Sequence, residues 1–235
     1  MKQVLQDGLK YLINEEEEKA VIVGYYENRN IFLIPRSIKY ESQEYIIQSI
    51  SRDAFKNSLF IKSIEFSSDS ELQTIEEGAF LFSSILSIFI PPHVTKICEN
   101  AFSHCFQLRR IDIPSNSELQ TIESGAFNWS SISSIFIPAS LIDLKERWCI
   151  NTHKLTTVKV DPRNSRYLNY EDEMIICKRT ETNENYDKIV FCRRDIKEIT
   201  IPSFIKIIGS YSFEGCKQLQ RLDIPSNSEL QTIEE

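Results

Sequence analysis

Glycine, histidine and cysteine are all in short supply in this chain: six, three and six residues out of 235. The six glycines form no loop of the kind that cradles phosphate. His93, His104 and His153 are scattered, and the nearest thing to a metal cluster, Cys98, His104 and Cys105, lacks ligand spacing. Cys98, Cys105, Cys149, Cys177, Cys192 and Cys216 contain no closely spaced ligand pair, which disfavours both a zinc ribbon and a disulfide scaffold. Neither paired carboxylates nor a nucleophile beside a base can be assembled from the spacing, so no enzyme activity, metal or cofactor is expected.

Positive charge is short as well. Against 34 Asp and Glu stand 27 Lys and Arg, a net charge of −7, which argues against nucleic acid or an anionic membrane surface as the main partner and leaves room only for a local basic strip. No apolar run approaches the ~20 residues of a membrane span, and the start, MKQVLQDGLKYLINEEEE, has no apolar stretch of signal-peptide length. A soluble, ordered chain is expected from 41% hydrophobic and 26% charged residues.

What the chain does have is repetition. DIPSNSELQTIE occurs at 112–123 and again at 223–234, and FSSDSELQTIE stands at 66–76. Two rulers run through the chain. One is Ala-Phe, at Phe55, Phe80, Phe102 and Phe127, with steps of 25, 22 and 25 residues and Ser212-Phe213 as a late variant. The other is an apolar run ending in proline: IFIP at 88–91, IDIP at 111–114, IFIP at 135–138, ITIP at 199–202 and LDIP at 222–225. Self-similarity at this period marks a solenoid whose units bury their apolar faces only by stacking.

Within L-x-x-I-x-I-P, the two isoleucines alternate with one polar site, the period of a strand with one buried face. Proline then ends the pairing because it has no N–H to give. Phenylalanine is the core plug of the return segment. The small residue three positions later, Ser58, Ser83, Cys105, Ser130 or Cys216, sits where neighbouring units would otherwise collide, so Cys105 and Cys216 read as packing residues. The rungs fall at 61–66, 85–90, 108–113, 132–137, 155–160, 196–201 and 219–224. At 148–149, Trp-Cys replaces Ala-Phe, which predicts a local distortion.

Two segments depart from the repeat. Residues 1–37 read as strand, turn, strand and are expected to form an N-terminal β-hairpin cap on a solenoid of about seven rungs over 38–235, with the last repeat incomplete. Between the fifth and sixth rungs, an insert near 168–195 reads as a long hairpin around TETNENYD. Reflection about its centre sets Cys177 opposite Cys192, where a disulfide and neighbouring free thiols are both open.

The strand period also points to a binding face. Residues flanking the middle isoleucine of each rung face outward, giving one continuous ladder that includes Phe89, Arg110, Asp112, Phe136, Lys159, Glu198, Arg221 and Asp223. Phe89 and Phe136 share one phase two rungs apart, with Arg110 and Asp112 between them, the composition of an interface centre. The end of the array at Ile224 and Ile233 has no successor unit and is expected to self-associate.

Units such as LRRIDIPSNSELQTIESGAFNW, IFIPPHVTKICENAFSHCFQL and ITIPSFIKIIGSYSFEGCKQL, with the opening hairpin and VDPRNSRYLNYEDEMIICK, resemble the BspA-like leucine-rich repeat proteins of the LRR5 type. The resemblance implies an α/β, β-rich, right-handed solenoid with a parallel strand ladder and short helical turns. It also implies a non-enzymatic module that binds protein, often at a cell surface, with adhesion to host extracellular-matrix proteins as the family's named activity. An intracellular scaffold is the alternative, with the cytoplasm as its location. The family's glycine after the isoleucine that precedes Ala-Phe survives only at Gly209; Glu76, Cys98 and Glu123 replace it elsewhere.

Overall fold

A computed structural model describes residues 1–180 and 184–234. Residues 181–183, in the expected turn TETNENYD, lie outside the described residues. Strands β1 (Lys2–Gln6), β2 (Leu9–Asn14) and β3 (Lys19–Tyr25) pair antiparallel at one end. From there the chain winds between two stacks of short parallel strands.

The first stack carries the L-x-x-I-x-I rungs and begins at β4 (Ile31–Ile34), within the first 37 residues. The second stack starts where β6 (Gln43–Ile50), itself flanked by β5 (Ser37–Tyr40), pairs with β3. In the first stack follow β7 (Ser63–Phe66), β9 (Ser87–Phe89), β11 (Arg110–Asp112), β13 (Ser134–Ile137), β15 (Thr157–Val160), β19 (Glu198–Thr200) and β21 (Arg221–Asp223). The second holds β8 (Thr74–Ile75), β10 (Lys96–Ile97), β12 (Thr121–Ile122), β14 (Asp143–Leu144), β20 (Ile207–Ile208) and β22 (Thr232–Ile233). Registers are in phase with the repeat: Ile64 faces Ile88, Ile88 faces Ile111, and Ile97 faces both Ile75 and Ile122.

The expectation of helical turns is overturned: the described residues include no helix. The hydrogen bonds show why. Along each Ala-Phe turn, alternate amides bond locally and across to the next unit. Ala54 and Lys56 donate to Ser51 and Asp53, whereas Phe55 and Asn57 donate to Ala79 and Leu81 of the following turn. A backbone that gives half its amides to its neighbour cannot close the i→i−4 ladder of a helix. Left-handed residues bound each turn on both sides, for example Asn100 and His104 at φ 55° and 57°, and such single residues do not propagate a helix.

Phenylalanine at the plug position builds a spine through the core. Ring centroids step from Tyr25 to Phe55, Phe80, Phe102 and Phe127 at 6.0, 5.1, 5.0 and 5.6 Å, nearly parallel throughout. At the Trp-Cys unit the stack turns. Phe127 donates its amide to Trp148, which therefore occupies the alanine site, and the two rings meet at 89°.

The continuous first ladder expected from the strand period is also corrected. Pairing runs β4-β7-β9-β11, resumes for β13-β15, and resumes again for β19-β21. Among the repeat rungs, the 23-residue strand steps pair β9 with β11 over three positions and β13 with β15 over four, whereas the 24-residue steps pair β7 with β9 over two and leave β11 and β13 unpaired. The extra residue follows the strand and lets the next one drift out of hydrogen-bonding reach. The second stack breaks too. β16 (Tyr167–Tyr170), β17 (Met174–Lys178) and β18 (Tyr186–Cys192) pair antiparallel, and β18 then leads into β20 and β22. Within that hairpin the register is offset from the simple reflection, so Cys177 faces Lys188 and Cys192 faces Met174; both cysteines are free thiols.

Candidate protein-binding face

The break in the first ladder gathers half of the expected site. Phe89 lies across from Asp112 in the β9–β11 register and Phe136 across from Lys159 in the β13–β15 register. Between the two pairs opens a cleft of about 390 Å³, lined by these four side chains together with Ile111 and Pro114. Phe89 is 45% exposed and Lys159 is exposed, but Phe136 is half-buried and packs against the core, so it forms a wall of the cleft and does not stand free. A separated pair of strands gives an aromatic ring room to lean inward.

Arg110 lies on the same strand as Asp112 and bonds to it at 2.8 Å, as two-residue spacing on one strand face requires. Arg221 and Asp223 repeat that pair at 2.8 Å. In both pairs the carboxylate raises the arginine pKa through the hydrogen bond. Arg221 faces Glu198, and these three residues belong to the separate β19–β21 block, outside the cleft lining. The eight expected residues thus divide into a cleft group, a rim residue and a second patch.

A larger cleft of about 840 Å³ opens on the other side, where the second stack breaks after β14. There the Tyr167 hydroxyl replaces the missing strand by accepting the Leu144 amide at 2.7 Å. Most of its charges pair: Lys145 with Asp143 at 2.8 Å and Lys188 with Glu234 at 2.7 Å. Arg194, only 3% exposed, instead donates to the Ser212 carbonyl at 3.0 Å and to the Cys149 sulfur at 3.4 Å. A hydrogen bond with Cys192, and secondarily that cation, lowers the Cys216 thiol, whereas burial pushes Cys98, Cys105 and Cys177 up to about 11. Arg147 stacks on Tyr211 at 4.9 Å. Both occupy the left-handed site two residues before the plug, where Asp53, Gly78, Asn100 and Gly125 stand in other units. The sequence reading passed over this cleft, and that break in the residue pattern was the available signal.

Among the described residues, no grouping of three His, Cys, Asp or Glu side chains could hold a metal, and no helix is long and apolar enough to cross a membrane. What these surfaces can do is bind. The BspA type leucine-rich repeat region matches six times, over residues 47–170 and 181–235. The chain belongs to that family. No curated protein sequence matches it. Among solved structures, the pneumococcal vaccine antigen PcpA superposes with a TM-score of 0.77 at 20% identity, over 97% of this chain and 65% of that one. A leucine-rich repeat protein of Bacteroides ovatus gives 0.67 at 22% identity, over 96% and 54%. A leucine-rich cell surface protein of Faecalibacterium prausnitzii gives 0.55 at 16% identity, over 100% and 76%. The chain therefore spans less than two thirds of the length of the first of these, and the likeness concerns the fold.

Proposed function

We propose that the chain is a non-enzymatic module that binds a protein ligand, of the extracellular-matrix or host-surface kind, through the face formed by the first strand stack. The observation that carries this reading is the cleft at the β11–β13 break. It places one exposed and one half-buried phenylalanine beside an acid and a base, with Arg110 at its rim. A buried aromatic anchor with polar groups around it is where binding energy concentrates in protein interfaces. PcpA is a vaccine antigen and the Faecalibacterium protein a cell-surface protein, which fits display outside the cell.

The test is saturable binding of the chain to immobilised matrix glycoproteins, compared with Phe89→Ala combined with Lys159→Glu. Both side chains are exposed, so the melting temperature should hold while affinity falls about tenfold or more. Equal affinity for the variant, or no binding by the parent chain, would overturn the proposal. Labelling of intact cells distinguishes surface display from an intracellular scaffold.

A further inference from the structure

Two residues after each plug position the chain is left-handed: Asn57, Phe82, His104, Trp129 and Asn151 all have φ between 56° and 59°, and Gly215 has 85°. Asparagine and glycine are the residues that adopt this conformation readily, and a bulky aromatic there is an outlier. The flanking turns use them. The three middle turns instead carry Phe, His and Trp at that site, with Phe82 and Trp129 as the outliers, and these rings are not hidden: Phe82 and Trp129 are 43% and 44% exposed, and neighbouring Phe106 is 57% exposed. Burial of these rings does not account for the strain. Strain retained at an exposed site points from the outlier to a function.

Charge on this corner is equally one-sided. Residues 54–62, 79–86, 101–109, 126–133 and 148–156, each ahead of its strand, contain no Asp or Glu, in a chain that has 34. Arg109 is exposed, and Lys62 and Lys154 donate to neutral groups, Lys62 to Gln107 and the Leu59 carbonyl, Lys154 to Ser131. These three cations border the rings. Together the rings present on the order of 300 Å² of apolar surface, the size of patch that is often functional.

We propose that this corner is a second protein-binding surface, taking a partner segment whose apolar side chains are bordered by aspartate and glutamate. The ring geometry selects against other anionic partners. Phe82 lies over His104 at 4.4 Å, His104 faces Trp129 at 5.9 Å, and Phe106 meets His104 edge-on at 5.6 Å. All three exposed rings lean on His104, a cluster and not the row of free faces on which successive bases of single-stranded nucleic acid stack. Ring edges carry partial positive charge, which suits carboxylates and carbonyls. The three cations, with exposed Lys217 beside His153, reach only the lower bound of the roughly four to eight cations that recognise anionic lipid. The corner precedes the strand in each unit and shares no residue with the Phe89–Phe136 cleft, so the inference stands apart from the proposal above.

The experiment is selection of displayed random peptides on the immobilised chain, with Phe82→Asn/Trp129→Asn as the counter-target. Asparagine is what the molecule itself uses at positions 57 and 151, so this variant should keep or raise the melting temperature. Selected peptides should combine Leu, Ile or Phe with Asp and Glu, lose about tenfold or more in affinity for the variant, and weaken with salt. They should also shift the emission of Trp129, because Trp148 is only 3% exposed, and should bind Phe89→Ala/Lys159→Glu undiminished. A lowered melting temperature in the asparagine variant would show the rings to be structural cover and overturn the proposal. So would selected peptides rich in Lys and Arg, equal binding to the variant, or binding of phosphatidylglycerol vesicles in place of peptides.

Discussion

Asn164 shows how much one side chain can hold. It is buried, and all four of its hydrogen-bonding positions are filled: the amide donates to the carbonyls of Pro138 at 2.7 Å and Leu141 at 2.9 Å, and its oxygen accepts from the Arg166 and Tyr167 amides at 2.8 Å each. It thereby ties the turn after β13 to the start of β16. Alanine would strand two carbonyls and two amides, each costing about 1–3 kcal/mol where water cannot reach, so Asn164→Ala should destabilise by at least about 3 kcal/mol in urea unfolding. The Asp-Pro-x-Asn pattern and the local amides of Arg166 and Tyr167 were visible in the residues, but the carbonyls of Pro138 and Leu141, one unit earlier, were not. Gly209 teaches a similar lesson. A Cβ there would lie 2.6 Å from the Ile189 carbonyl, which β18 brings against the turn, so Gly209→Ala should cost about 1–3 kcal/mol by overpacking. Glu76, Cys98 and Glu123 stand at the same phase and, like Gly209, give their amides to the preceding unit. Cys105 sits fully buried 3.4 Å from Ser83 and donates to the Phe80 carbonyl at 3.0 Å, in keeping with its reading as a packing residue.

At the scale of elements, periodicity made the rungs and the plugs readable, because each apolar position has the same job in every unit. Isoleucines 64, 88, 111 and 135 are all buried where the strand period puts them. Features that arise between units were invisible. Whether β11 reaches β13 depends on how the loop between them is laid, and no pattern within a single unit encodes that. The left-handed sites were hidden for another reason: Phe82, His104 and Trp129 occupy positions whose conformation a glycine or asparagine would have announced. The aromatic spine gives this scale its test. Phe102 stacks on Phe80 and Phe127 at 5.0 and 5.6 Å and is fully buried, so Phe102→Ala should lose about 3–5 kcal/mol. Acid sensitivity belongs here as well. Burial lowers the pKa of His104 and His153, so the unfolded chain takes up protons first as pH falls below about 6.5, and stability drops. Asp161, held near 2 chiefly by its hydrogen bonds with Arg163, adds stability that is present above its ordinary value of 3.8 and lost as pH falls toward 2. The melting temperature should therefore decline in two stages on acidification, and His104→Phe should flatten the upper one.

Over the whole molecule, charge and apolar surface are distributed by side and by end. Carboxylates such as Glu76, Glu99 and Glu123 gather beside the second strand stack, some bonding the backbone of the adjacent unit, as Glu123 does at the Glu99 amide at 3.0 Å. In the first five units the opposite corner has none; the sixth carries Glu214. Along the axis, the two ends differ too. At one, β1–β3 close the stack with antiparallel pairing and bury Tyr11, Ile13 and Ile22. At the other, β21 and β22 each pair on one side only, and Leu222, Ile224 and Ile233 are 39%, 48% and 66% exposed at positions that earlier units bury. Unpaired strand groups beside apolar side chains form a template for another chain. Prepared as these 235 residues alone, the polypeptide should therefore associate through β21 and β22 as its concentration rises, despite a net charge of −7 that opposes close approach and predicts stronger association at high salt. Light scattering across a concentration series reads this directly. Ile224→Lys with Ile233→Lys should return the chain to a monomer without loss of melting temperature, since lysine on an edge strand blocks pairing and neither residue is buried. A parent chain that stays monomeric throughout would refute the idea. Association that survives the lysines but is lost in Phe82→Asn/Trp129→Asn would instead place self-contact at the aromatic corner, with the acidic side of a second copy as its partner.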